Sequence, residues 1–308
     1  MGSSGIIALT QRSIRSLSLT SDIFCDECGV EDCEVDLAPF NQLQSLGWRG
    51  LNAEQLGILS VAIQNNAANL KELELDFVNW PGLWELLGYY SDDEDESDTT
   101  PRNYFARKIL GLNRDPVYPI LPVIRVLSLS QVPLGPNMAR CVNFDTLESL
   151  TLRLCPGWDE FIRQVAELKI PIKLKRLEIL ESGEVSTGDG DHALKVIIGA
   201  FYGLRELFIS QCGPILPLDS SSLIVRHHAA LQRFVYHQRT IDIDDESPTF
   251  EEEFDTSDLT IPEPYFGQMA NEKDLNPLWY LNHLEGIALS CTVHPVVSIA
   301  PSCVGSLN

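Results

Sequence analysis

The most reactive side chains in this sequence are eight cysteines and six histidines. Cys25-Asp-Glu-Cys28 has the spacing of one half of a zinc site, and Cys33 follows five residues on. A structural zinc takes four ligands, normally with a second pair at similar spacing. No other Cys or His stands close by in sequence, so these residues read as free thiols in an acidic segment, with no metal bound. Cys141, Cys155, Cys212, Cys291 and Cys303 show no even spacing that would suggest a disulfide framework, which fits reduced thiols. The histidines are His192, His227, His228, His237, His283 and His294. None pairs with a Ser or Cys in a recognisable catalytic motif, and there is no phosphate loop or dinucleotide fingerprint. His227-His228 is expected near the end of a crossover helix in a structural role. The expectation is no catalysis and no cofactor, which leaves contact chemistry: what the folded surface can hold.

Charge narrows the kind of partner. The net charge is −22, from 44 acids against 22 Lys and Arg. Residues 21–37, 92–98 and 242–258 hold seven, six and nine acids without a single base, which is 22 of the 44. The rest of the chain is therefore close to neutral. Nucleic acid is a poor partner, because its phosphates would meet these acidic runs. No apolar run approaches the ~18 residues of a membrane span, and the apolar stretch Gly5–Leu9 is too short for a signal-peptide core. The expected location is cytoplasmic or nuclear, away from membranes.

Any contact surface needs elements to present it, and internal repetition supplies them. One pattern recurs nine times: apolar, two variable, apolar, one variable, apolar. It runs Ile14-Arg-Ser-Leu17-Ser-Leu19, then Leu43 to Trp48, Leu70 to Leu75, Ile124 to Leu129 and Leu147 to Leu152. It continues as Leu174 to Ile179, Leu204 to Ile209, Leu231 to Tyr236 and Leu284 to Leu289. Six of the eight steps between starts fall between 23 and 30 residues, and the other two, 54 and 53, are nearly doubled. Residues two apart in a strand share a face, so Leu73 and Leu75 point inward together while Glu74 points out. Parallel neighbours need a crossover of about a dozen residues or more, usually helical.

Helical patterns fall in the crossovers. Asn52 with Gln55 resembles a capping box, leading into an apolar face of Leu56, Leu59, Val61, Ala62 and Ile63. Trp158 to Leu168 places Phe161, Ile162, Val165 and Leu168 at helical spacing. Asp191 can cap a helix through Phe201, ended by Gly203. The two long steps contain the acidic stretches at 91–100 and 242–260, which are too polar to pack and read as disordered insertions into one domain spanning 1–308.

The repeat resembles the long-repeat class of leucine-rich-repeat proteins, to which ribonuclease inhibitor, the Ran GTPase-activating protein and F-box proteins belong. Leu152-Arg-Leu-Cys155 and Ile209-Ser-Gln-Cys212 place Cys where the strand motif ends, similar to the cysteine-containing repeats of F-box proteins. Val78 and Val132 stand there in two other repeats. The irregular repeats with acidic insertions look most like fungal F-box-type proteins. The resemblance implies an α/β solenoid: a horseshoe with one curved parallel sheet inside and helices or loops on the convex side. It also implies a non-enzymatic protein-binding scaffold, an F-box-like receptor that selects ubiquitination substrates. The thirteen residues before Ile14 cannot hold an F-box, so a Skp–cullin complex is expected as a partner only if an F-box lies upstream. The alternative is a free-standing scaffold or inhibitor that binds a basic protein without ubiquitin machinery.

In this arrangement the outward strand positions form the partner-binding face. Apolar residues there want an explanation. Leu180, Phe208 and Val235 fall outward in three successive repeats, expected about 5 Å apart from strand to strand. Arg153, Arg176 and Arg233 flank them, with His237 at the end of its strand. An aromatic anchor with an Arg rim is the composition of a protein interface.

Overall fold

The computed structural model describes residues 13–21, 36–51, 55–77, 103–112, 118–181, 189–212, 226–227, 229–239 and 283–289. The acidic runs at 91–100 and 242–260, the Cys25–Cys33 segment, Asn52 and Val78 lie outside these residues. The chain divides into two compact units, Met1–Leu174 and Lys175–Asn308. Each combines a parallel sheet with helices, an α/β architecture.

In the first unit, β1 (Ser16–Thr20), β2 (Ser45–Leu51), β3 (Glu72–Phe77), β4 (Val126–Ser130) and β5 (Ser149–Arg153) pair in that order, every pair parallel. Each strand begins two residues after a repeat start. Register aligns the inward side chains into rows. Leu17, Leu46, Leu73, Leu127 and Leu150 form one row; Leu19, Trp48, Leu75, Leu129 and Leu152 form the next. The repeat-opening residues Leu43, Leu70, Ile124 and Leu147 are completely buried. Burying a side chain of this size stabilises by roughly 1.5–3 kcal/mol, so aligned rows of them make the sheet and its core one cooperative object.

The repeat is also written in the backbone. The carbonyl of the residue just before each motif's second variable position accepts two N–H groups from the next strand. Arg15 takes Gln44 and Ser45, Gln44 takes Lys71 and Glu72, Lys71 takes Arg125 and Val126, and Arg125 takes Glu148 and Ser149.

Helices pack where the crossovers place apolar side chains. Helix α1 (Leu56–Asn66) buries Leu56, Leu59, Ala62, Ile63 and Asn66. It begins at Leu56 with Gln55 in the cap position, which places Gln55 outside the first turn instead of inside it. The side chain of Gln55 accepts a hydrogen bond from the Ser21 hydroxyl, 3.1 Å away, across the sheet edge. Val61, expected on the packed face, is exposed. It follows Ser60, whose hydroxyl reaches out to the Lys108 and Ile109 carbonyls. Those carbonyls belong to a π-helical turn, Phe105–Ile109, that buries Phe105, Ala106 and Ile109. The ring of Phe105 meets Phe77 edge-on at 6.1 Å. Helix α2 (Met138–Cys141) is one turn. Helix α3 (Trp158–Glu167) buries Trp158, Phe161, Ile162 and Val165, in the predicted phase, while Leu168, expected on the same face, caps the helix and is half-buried.

In the second unit, β6 (Arg176–Leu180), β7 (Glu206–Cys212), β8 (Arg233–Arg239) and β9 (Gly286–Leu289) pair in order and in parallel. The inward rows are Leu177, Leu207, Phe234 and Ile287, then Ile179, Ile209 and Tyr236, with Leu289 in register beside Tyr236. Ile287 departs from expectation: it is 42% exposed. Among the described residues β9 has a strand neighbour on one side only, so its inward side chain lacks the partner that buries Leu207 and Phe234. The half-buried Leu17 and Leu19 on β1 show the same end effect. Helix α4 (Asp189–Ala200) starts two residues before the expected cap Asp191 and buries Ala193, Leu194, Ile197 and Ile198. Among the described residues, no helix is long and apolar enough to cross a membrane.

Candidate functional site

The outward face of β6, β7 and β8 gathers six of the seven residues singled out from the sequence. Inward burial of Leu207 and Ile209 forces Phe208 outward, because strand side chains alternate. Register then sets its neighbours. Glu178, Phe208, Val235 and Ala288 form one row, preceded by Arg176, Glu206, Arg233 and Gly286. The following row is Leu180, Ser210 and His237.

This register corrects the expected line of Leu180, Phe208 and Val235. Leu180 lies opposite Ser210, one row beyond Phe208, and Glu178 is the cross-strand neighbour of Phe208. Leu180 is the sixth residue after its repeat start, whereas Phe208 and Val235 are each the fourth, and parallel pairing preserves that difference. The apolar row is Phe208, Val235 and Ala288.

The arginines are not a free rim. The Arg176 guanidinium sits over the Phe208 ring, 5.2 Å from its centroid. The same group pairs with Glu178 at 2.8 Å and approaches Glu206 at 3.8 Å. Glu206 also reaches Arg233, 3.5 Å away. Two acids and two bases therefore alternate along the strand starts and neutralise one another. Phe208 is half-buried under this cover. The two acids are mostly covered and the two arginines about half exposed, and the network fixes where Arg176 lies. His237 is exposed, with its Nδ1 3.4 Å from the Ser210 hydroxyl, a long contact.

Arg153 belongs to the first unit, where it ends β5 exposed and in register with Ser130. On the same strand Thr151, two residues before Arg153 and on the same face, is buried. The outward face of β3 carries Glu72, Glu74 and Asp76, and Arg49 on β2 bonds Glu74 at 2.7 Å. An open cleft of about 470 Å³ lies ahead of β1 to β3, lined by Arg15, Asn41, Gln42, Gln44 and Asn69. One guanidinium and four amides can hydrogen-bond a polar group but offer no acid, base or nucleophile for proton or acyl chemistry.

The described thiols are unsuited to chemistry. Burial pushes both Cys141 and Cys155 up to about 12. Cys155 lies where the strand motif ends and aims its thiol at the Leu129 carbonyl, 3.3 Å away, while Val132 is buried at the equivalent place. This position is therefore a small core residue whichever side chain fills it.

Sequence reasoning gave His227 a structural role but missed that it belongs to a set of buried or half-buried polar residues four positions before the repeat starts. Asn66 precedes Leu70, Asn143 precedes Leu147, and His227 precedes Leu231. Asn66 accepts from the Leu43 N–H at 2.8 Å and donates to the Phe40 and Ala62 carbonyls. Asn143 donates to the Pro122 carbonyl at 2.8 Å. His227 accepts from the Leu204 N–H at 3.2 Å, and its other ring nitrogen meets the Ile198 carbonyl at 2.9 Å. Each ties its own turn to the preceding repeat. The signal was available: two Asn and one His at one fixed phase of an otherwise apolar repeat. Comparisons with protein-family models, with curated proteins and with solved structures return no match.

Proposed function

We propose that this chain is a leucine-rich-repeat solenoid that holds a protein partner on its outward strand face, as the substrate-recognition part of an F-box-type receptor. The observation that carries the reading is the face of β6 to β8. There the Phe208, Val235 and Ala288 row lies beside an arginine already held over the aromatic ring. A held side chain loses less conformational entropy when a partner docks, which favours binding over a mobile arginine. Nine strands at the repeat phase, all paired in parallel within their units, support the solenoid. The buried cysteine at the end of the β5 motif supports the cysteine-containing class.

A second reading has its own support. Glu72, Glu74 and Asp76 place three carboxylates outward on one strand, which suits a free-standing scaffold that captures a basic protein. Affinity capture from cells with the tagged chain separates the two. Recovery of a Skp–cullin complex supports the receptor reading. A basic protein recovered without ubiquitin-ligase components, and lost at high salt, supports the scaffold. Captured proteins that are unchanged by Phe208→Ala would overturn the assignment of the face itself.

A further inference from the structure

We propose that His227 is an acid-released latch on the entry to β8: protonation of its Nδ1 removes the acceptor for the Leu204 N–H and frees the turn that feeds the strand. Three groups meet at this imidazole. The Leu204 N–H, at the opening of the preceding repeat, donates to Nδ1 at 3.2 Å. Because Nδ1 accepts, Nε2 must carry the proton, and it donates to the Ile198 carbonyl at 2.9 Å. The Ile198 carbonyl lies in the last turn of α4, where carbonyls lack helical partners. The His227 carbonyl in turn accepts from Ala230 and Leu231, closing the turn into β8. One neutral tautomer therefore joins the end of α4, the start of β7 and the start of β8.

The surroundings make the charged form costly. His227 is 2% exposed and lies 5.1 Å from the Phe201 ring. Burial lowers its pKa from the usual imidazole value; the Ile198 carbonyl opposes this and the Arg226 charge adds to it. Arg226 itself is engaged, bonding the Phe201 carbonyl and lying over the Tyr202 ring. On the elements packed against the imidazole, Lys195 of α4 and Arg205 before β7 are exposed cations, and Glu206 of β7 is tied to Arg176 and Arg233. Among the described residues, the groups that meet His227 include no carboxylate that would welcome a proton.

The same chain holds a non-titrating counterpart. Asn66 occupies the same phase of its repeat and makes the same bond, accepting from the N–H of Leu43 as His227 does from Leu204. His227→Asn should therefore keep a latch and lose its dependence on pH. The direction follows from linkage. A pKa lowered on folding contributes stability that is fully present above the unfolded value of about 6.5 and is lost as pH falls toward the folded value. The latch does not depend on what the sheet face binds, so stability rather than binding is read. β8 does carry Arg233, Val235 and His237, so acid would loosen part of that face as well.

Amide hydrogen exchange of the full chain and of His227→Asn, corrected for intrinsic rates, tests this between pH 7.5 and 5.5. Protection of Leu204 and Leu231 should fall below pH 6.5 in the natural protein, by roughly tenfold per pH unit while the folded imidazole stays neutral. It should stay level in His227→Asn. Equal slopes in both proteins, or level protection in the natural one, would overturn the latch. If the variant does not fold, the ring nitrogens of His227 are followed in the natural protein by NMR. Their titration should fall below the pH at which Leu204 protection begins to drop; a ring that titrates at the ordinary imidazole value, or that titrates while Leu204 stays protected, overturns the proposal equally.

Discussion

At the residue scale, adjacent positions on one strand have opposite jobs, and this is measurable. Leu207 is 2% exposed and Phe208 is half-buried beneath Arg176. Leu207→Ala should cost roughly 2–5 kcal/mol in urea unfolding, because it removes buried atoms and leaves a cavity. Phe208→Ala should cost about 1 kcal/mol or less, the scale of a partly solvated cation–π contact, and should weaken partner capture. Equal losses of stability would place Phe208 in the core and reverse the strand phase. The thiols give a second test. With their pKa pushed up to about 12 by burial, Cys141 and Cys155 should resist a maleimide at pH 8 until the chain unfolds. Their linkage has the opposite sign to that of His227. These thiols are raised, so their contribution is fully present below the unfolded value of about 8.5 and is lost as pH rises toward 12.

At the element scale, the joints between crossovers and strands carry a share of stability that strand patterning does not reveal. Asn66 ends α1 fully buried and satisfies three backbone groups. Asn66→Ala leaves the Leu43 N–H and the Phe40 carbonyl unsatisfied, at a cost of about 1–3 kcal/mol for each buried group left unpaired. Asn143→Ala should cost less, since Asn143 is half-buried, and thermal unfolding of the two variants would rank them. Gly50 is another such joint. The pairing of β2 with β3 slips between Arg49 and Leu51, and Gly50 takes a φ of 76° there. A Cβ at Gly50 would collide with the Ser21 carbonyl, while the Ser21 N–H holds the Arg49 carbonyl at 2.9 Å. Glycine at this bulge is what lets the chain after β1 approach β2.

At the scale of the whole molecule, the decisive quantity is charge. A chain of net charge −22, with half of its acids in three base-free runs, should leave duplex DNA unshifted in a gel at about 0.1 M salt, since no counterion release favours the complex. A basic protein partner should instead associate faster as salt falls, because the Debye length grows from about 8 Å at 0.15 M to about 30 Å at 0.01 M. A retarded DNA band would show that a basic surface is formed in the fold that the linear charge pattern does not reveal.

The nine strands among the described residues were legible in the sequence, as was the inward phase of β1 to β8, because a period of two within a segment and a steady step between segments are one-dimensional properties. The outward placement of Phe208 and Val235 followed from that phase alone. Helix α3 was equally plain, since its apolar residues recur at helical spacing. Contacts between repeats were decided only by the tertiary structure. Parallel register brings Glu178, and not Leu180, beside Phe208, and the space above that ring admits Arg176. Among the described residues β9 has a strand neighbour on one side only, and Ile287 is exposed there, although its sequence pattern matches the buried strands. The Asn66 and His227 joints bridge residues more than 20 positions apart. A side chain's spacing along the chain fixes the face it takes, whereas its partner is set by how each crossover returns, and that depends on the packing of the whole unit.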